Sequence, residues 1–137
     1  VTQVGTGVPG EVPSLGGDCS TPDGTCIRDC VYVVDFAEAD VAARPRVLGQ
    51  DTDAVEYFNI GTGNGNSTLE IVETFERATG VKLNWKYGPR REGDIEKIWG
   101  NVDKANNVLG WKADTPLDDV LRSAWKWQLK LREDGVM

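Results

Sequence analysis

The stretch from Val55 to Tyr87 constrains the fold of this chain more than any other, because it spells strand, turn, helix, stop and strand in unbroken order. Val55-Glu56-Tyr57-Phe58-Asn59-Ile60 is rich in β-branched and aromatic residues and reads as a strand. It runs into the turn Gly61-Thr62-Gly63-Asn64-Gly65-Asn66, after which Ser67-x-x-Glu70 forms a capping box. The predicted helix, Thr68 to Thr79, carries Leu69, Val72, Phe75 and Ala78 on one face, and Gly80 supplies a left-handed stop. A strand over Val81 to Tyr87 follows, so the order is that of α/β packing.

The flanks are read from the same signals. Six glycines (5, 7, 10, 16, 17 and 24) with Pro9, Pro13 and Pro22 punctuate residues 1–25, which are expected to be irregular, with a folded domain over 26–137. CIRDCVYVVDF suggests a strand from Val31 to Val34, with Asp35 as N-cap of a short helix beginning near Ala37. Pro45 lacks an amide donor and clashes with the preceding turn, so that helix is expected to end or kink near Ala43 or Arg44. Asn101 to Leu109 is a further short helix, closed by Gly110. In the last helix Thr115 is expected to cap, Pro116 takes the first position, and Asp118 and Asp119 face the positive end of the dipole. Leu117, Val120, Leu121, Ala124, Trp127 and Leu131 form its expected apolar stripe, and Lys126, Lys130 and Arg132 suit its negative end.

Composition excludes several functions. A length of 137 residues fits one domain, and 15 basic against 22 acidic residues give a net charge of -7, which disfavours general affinity for nucleic acid or an anionic membrane. There is no histidine, which removes His-based triads, a histidine general base and the commonest metal ligand. Cys19, Cys26 and Cys30 lack the CxxC spacing of zinc or redox motifs and are odd in number, so they read as reduced thiols of a cytoplasmic protein, with no metal site. No apolar run is long enough to span a bilayer, and the N-terminal stretch lacks the pattern of a signal peptide; the expectation is a soluble, untargeted chain.

Two segments invite a ligand. Gly88-Pro89-Arg90-Arg91-Glu92-Gly93-Asp94 combines cation, flexible backbone and carboxylate: arginine pairs bidentately with phosphate oxygens, and aspartate accepts from sugar hydroxyls. The alternative is a solvated charged loop. GTGNGN stands where a glycine turn could cradle pyrophosphate, but Asn66 occupies the place of the third glycine, and no acidic residue closes the strand from Val81 to Tyr87. A structural strand-to-helix turn is the favoured reading there. Trp85, Trp125 and Trp127 are expected to pack rather than to stack on bases. Arg28-Asp29 has an ordinary ion pair as its plainer reading.

The succession TPDGTCIRDCVYVVDFAEADVAA, YFNIGTGNGNSTLEIVETFERATG, PRREGD, DKANNVLGWKA and WKWQ resembles the C-terminal part of UDP-glucose 4-epimerase, an extended short-chain dehydrogenase/reductase, from about Thr21 to Gln128. The resemblance implies a small mixed α/β substrate-binding portion that lacks the NAD-binding Rossmann core. It implies that Arg28 and Arg91 contact the diphosphate of UDP-glucose or UDP-galactose, and that Asp94 contacts the uridine ribose. Pro13-Ser14-Leu15 falls where the family makes backbone contacts to uracil, with Leu15 replacing an aromatic residue, and Ile98 falls where side-chain size sorts acetylated from plain sugars.

In such enzymes NAD takes a hydride from C4 of the hexose, the 4-keto sugar turns over, and the hydride returns to the other face. The matching NAD loop, YxxxK pair and catalytic Ser or Thr have no counterpart here; Tyr32, Tyr57 and Tyr87 lack a lysine four residues on. The implied role is therefore binding and orientation, with no catalytic residue and no cofactor held by this chain alone. A missing NAD-binding half or a homodimer partner is the implied partner. The alternatives are a non-catalytic nucleotide-sugar-binding or assembly module, or part of another nucleotide-sugar-modifying member of the superfamily. Cys19-Ser20 and Cys30 depart from the family's Tyr-Pro and Tyr, and Gly5, Gly7 and Pro45 interrupt segments that the family makes helical; such changes cost roughly 1 to 3 kcal/mol each.

Overall fold

The computed structural model describes residues 1–7, 12–15, 17–49, 55–88 and 92–136, with the backbone alone at 13–15. They form a mixed α/β chain that divides into two compact units: Val1–Ile27, Asn66–Lys97 and Pro116–Met137 in the first, Arg28–Gly65 and Ile98–Thr115 in the second.

The first unit is built on α3 (Thr68–Thr79) packed along α5 (Leu117–Glu133). The capping box forms as its sequence requires: Ser67 Oγ accepts from the Glu70 amide at 3.0 Å, and Glu70 Oε2 accepts from the Ser67 amide at 3.2 Å. Gly80 ends the helix at φ 73°, the left-handed conformation that glycine adopts without strain. Val72, Phe75 and Leu83 make the core, and the Phe75 and Trp125 rings meet edge to face with centroids 5.6 Å apart. Arg77 forks onto Asp118 at 3.0–3.3 Å, joining the two helices at their rim.

The stripe of α5 differs from its sequence reading. Leu121, Trp125 and the polar Gln128 face inward, whereas Trp127 is 59% exposed. Gln128 is tolerated because Thr2 Oγ1 donates to its Oε1 at 3.2 Å, and a polar core position breaks the apolar periodicity on which the reading relied. Thr2 belongs to α1 (Thr2–Gly5), a single turn whose Gly5 lies in the helix rather than interrupting it; a Cβ there would meet Trp125 at 3.0 Å. Residues 1–25 also supply β1 (Val12–Leu15), parallel to β4 (Trp85–Gly88). Only the last residues of the strand expected from Val81 to Tyr87 are strand, because upstream the Leu83 amide donates to Glu76 Oε1 at 2.8 Å instead of to a neighbouring strand.

Three two-residue strands, β2 (Ile27–Arg28), β3 (Asn66–Ser67) and β5 (Lys97–Ile98), form a small sheet in the order β3-β2-β5.

The second unit contains α2 (Val33–Gly49) and α4 (Asp103–Leu109), with Ala39, Trp111 and Ala113 at its core. Three expectations are corrected here. Val33 and Val34 are not strand but the first turn of α2, and Asp35 is no cap. Its buried carboxylate accepts from Thr115 Oγ1 at 2.6 Å and from the Thr115 amide at 3.3 Å, which also takes Thr115 from its expected capping role; Pro116 stands at the N-cap of α5 instead. Second, α2 runs through Pro45 to Gly49. The turn that carries the proline's lost hydrogen bond is held by Arg46, which grips both carboxylate oxygens of Glu56, Nη2 lying 3.0 Å from Oε1. Third, residues 55–60 are not strand: among the described residues no strand pairs with them, and Lys104 Nζ satisfies the Tyr57 carbonyl at 2.9 Å. The helix expected from Asn101 begins at Asp103, whose amide is capped by Asn101 Oδ1 at 2.9 Å.

Candidate functional site

The TPDGT loop is drawn tight by its own polar side chains. Asp23 Oδ1 accepts from the Thr25 amide and hydroxyl, both at 2.8 Å, an Asx turn two residues long. Its other oxygen accepts from the Ser67 hydroxyl, the same hydroxyl that caps α3, and Thr25 Oγ1 accepts from the Leu69 amide at 3.2 Å. Burial alone would raise the Asp23 pKa, but the hydrogen bonds from Ser67 and Thr25 stabilise the carboxylate more, and the net shift is downward. Gly24 has φ 77°, and a Cβ on it would stand 2.7 Å from the Gly17 carbonyl oxygen, so the turn admits glycine only. The loop thus fixes where the chain enters β2, whose second residue is Arg28.

In the second unit Asp29 holds the GTG turn. Its carboxylate accepts from Thr62 Oγ1 at 2.7 Å, from the Thr62 amide at 3.1 Å and from the Gly63 amide at 3.3 Å. A Cβ on Gly61 would collide with the same carboxylate. The amides that a glycine turn would offer to pyrophosphate are therefore occupied by an internal anion, which matches the structural reading of GTGNGN and does not fit a dinucleotide. Sequence reasoning treated Asp29 only as an ion-pair partner of Arg28; a carboxylate preceding a glycine turn by some thirty residues carries no local signal.

The residues singled out from the sequence fall into both units. In the second, Arg28 is half-buried on β2 and Ile98, 48% exposed, lies on the adjacent strand β5. A cleft of about 330 Å³ opens immediately beyond Ile98, lined by Trp99, Gly100, Asn101, Val102, Asp103 and Gly63. In the first unit, the backbone of Pro13, Ser14 and Leu15 lies in register with Lys86, Tyr87 and Gly88. Tyr87, half exposed, stacks edge to face on Trp85 at 5.4 Å and covers Gly17, where a Cβ would come within 2.9 Å of its ring. Arg91 lies outside the described residues, and Asp94 is half-buried. No group of three or more metal-ligating side chains occurs among the described residues, and no described helix is long and apolar enough to cross a membrane.

No family model matches the chain. Curated relatives do: it is 41% identical over 130 residues to UDP-glucose 4-epimerase 2 of Oryza sativa, covering 95% of this chain and 32% of that protein. It is 40% identical to the UDP-glucose 4-epimerase of Bifidobacterium longum, covering 95% of this chain and 37% of that one. Among solved structures, the UDP-glucose 4-epimerase of Stenotrophomonas maltophila with bound NAD and formylated UDP-arabinopyranose superposes with a TM-score of 0.92 at 39% identity, over 98% of this chain and 39% of that chain. The Bifidobacterium longum enzyme in complex with NAD+ and UDP gives a TM-score of 0.85 at 40% identity, over 94% of this chain and 38% of that one.

The fold is therefore that of the small mixed α/β portion of an extended short-chain dehydrogenase/reductase. Within that class, the chain is homologous to a part of the UDP-glucose 4-epimerases, whose members bind NAD in the solved structures. It spans about a third of the length of the curated relatives it matches, 32% and 37% in the two just given.

Proposed function

We propose that this chain is the UDP-sugar-binding part of a UDP-glucose 4-epimerase, within residues 26–137 together with the β1 backbone. The observation that carries the reading is the superposition of nearly the whole chain on an epimerase that holds both NAD and a UDP-sugar. Arg28 and Arg91 pair with the diphosphate, Asp94 accepts from the uridine ribose, the backbone of Pro13, Ser14 and Leu15 meets uracil, and Ile98 bounds the sugar. UDP-glucose and UDP-galactose are the ligands, interconverted through a 4-keto sugar, and the setting is cytoplasmic. NAD, held by the part of the enzyme absent from this chain, supplies the hydride exchange at C4. The residues here anchor the nucleotide while the hexose reorients, so their contribution is binding and orientation.

One observation favours an assembly. Val33, Val41, Val47 and Leu48 of α2, with Val55 and Tyr57 beyond it, are each 70–81% exposed, so the second unit carries apolar residues outside its core as well as within it. A helix apolar on more than one face is one that packs on more than one side. The NAD-binding half of the enzyme is the occupant that fits this reading, with a homodimer partner as the alternative. The test joins the chain to the NAD-binding part of an epimerase relative and measures conversion of UDP-galactose to UDP-glucose. Activity that appears with the native sequence and falls at least tenfold with Arg28→Ala supports the assignment; a well-folded hybrid in which Arg28→Ala leaves KM and kcat unchanged overturns it.

A further inference from the structure

We propose that Cys19 and Cys26 are a disulfide-forming pair that staples the TPDGT loop under oxidising conditions. Their Sγ atoms lie 3.0 Å apart, both side chains are buried at 6% exposure, and seven positions separate them. Backbone hydrogen bonds hold both residues in place. The Cys19 amide donates to the Gly24 carbonyl at 2.9 Å, the Thr21 amide donates to the Cys19 carbonyl at 2.8 Å, and the Thr68 amide donates to the Cys26 carbonyl at 3.1 Å. Closing a bond of about 2.04 Å therefore asks the sulfurs to approach by about 1 Å, within reach of a χ1 adjustment and without refolding the loop. Two thiols are too few for a structural metal site, and no group of three candidate ligands includes them among the described residues. Cys30, half-buried, belongs to the second unit.

The oxidant is a small-molecule disulfide such as oxidised glutathione. One cysteine thiolate attacks it, giving a mixed disulfide and releasing one thiol; the second cysteine thiolate attacks the protein sulfur of that adduct and releases the other thiol. Two protein thiols are oxidised to one disulfide, one external disulfide is reduced to two thiols, and the protons pass to the departing thiolates. Burial keeps both thiols poorly reactive in the closed loop, so the exchange takes place during folding or a local opening, and the bond once made is protected from reduction. The loop so closed is the one that binds the N-cap of α3 and leads into Arg28, and neither feature depends on the functional assignment of the chain.

The experiment is thiol counting on the full chain after equilibration in reduced and oxidised glutathione mixtures, with acid quench, alkylation and mass spectrometry of tryptic peptides. Cys19 and Cys26 fall on one peptide ending at Arg28, and Cys30 falls on the next. The expected result is that the first peptide loses two hydrogen atoms and takes no alkyl group, while Cys30 is alkylated. In Cys30→Ser, oxidation raises the thermal midpoint by about 5 to 10 °C, as expected for closing a short loop. The proposal is overturned if both cysteines of the first peptide remain alkylatable in the oxidising mixture, or if they are recovered only as glutathione adducts.

Discussion

Replacing Gly61 by alanine tests whether Asp29 is what holds the turn at Gly61 to Gly63. Gly61 does not adopt a positive φ, so alanine suffers no backbone penalty there; the obstacle is the Asp29 carboxylate, whose Cγ would lie 3.2 Å from the new Cβ with Oδ2 nearer still. The side chain of Asp29 must swing away, and in doing so it releases the Thr62 hydroxyl at 2.7 Å, the Thr62 amide at 3.1 Å and the weaker Gly63 contact at 3.3 Å. Two good charge-assisted hydrogen bonds and one marginal one, at a half-buried site where water replaces part of the loss, amount to about 2 to 4 kcal/mol. Asp29→Ala removes the same bonds and costs about the same. With the carboxylate gone, Gly61→Ala has nothing to strike and costs at most about 0.5 kcal/mol, so the two changes couple by about 2 to 3 kcal/mol in a double-mutant cycle. Urea denaturation followed through the Trp111 indole resonance reads this within the second unit, whose core that residue helps to form. Equal costs for Gly61→Ala in the two backgrounds would refute the clamp.

Phe75→Ala empties a fully buried site that faces the edge of Trp125, and a loss of about 3 to 5 kcal/mol is expected from the urea midpoint of the first unit. Gly24→Ala combines a left-handed backbone with a collision against the Gly17 carbonyl and is expected to lower stability by about 2 kcal/mol or more, seen as a drop in thermal midpoint. Pro45→Ala restores an amide donor inside α2 at an exposed position and is expected to stabilise the second unit by about 1 to 3 kcal/mol. Asp23, Glu76 and Asp118 all have folded-state pKa values below the ordinary carboxylate value. The stability they contribute is present above the unfolded pKa and lost as pH falls through the folded one, so the thermal midpoint is expected to hold down to about pH 5 and decline below it. Asp23→Asn flattens that decline; an unchanged slope contradicts the role given to its hydrogen bonds.

Local sequence signals suffice where one short motif determines the outcome. The capping box at Ser67 and Glu70, the stop at Gly80 and the closure at Gly110 each depend on residues within four positions, and each forms in the structure. The misreadings arise where a distant partner decides. Thr115 is a good cap by type, yet its hydroxyl is taken by Asp35, eighty positions away. Gln128 occupies a core place because Thr2 satisfies it, and Trp127, apolar and at nearly the right spacing, turns outward. Pro45 is a helix breaker whose effect is offset by the Arg46 grip on Glu56. Val55 to Ile60 has strand composition without a strand to pair with among the described residues, since a strand is defined by its neighbour as much as by its own side chains. For the candidate site, Arg28 and Ile98 are legible as ligand-binding positions only through the family resemblance, and their place on the neighbouring strands β2 and β5 shows only in three dimensions, as do the roles of Asp23 and Asp29 in the loops.

The most direct test of the account is a two-dimensional amide spectrum of the 137-residue chain titrated with UDP-glucose. The account predicts a dispersed spectrum whose saturable shifts centre on residues 13–15, Arg28, Arg91, Asp94 and Ile98, with UDP competing and free glucose inert. A dispersed spectrum that UDP-glucose leaves unmoved would contradict the assignment of this chain as a UDP-sugar-binding part.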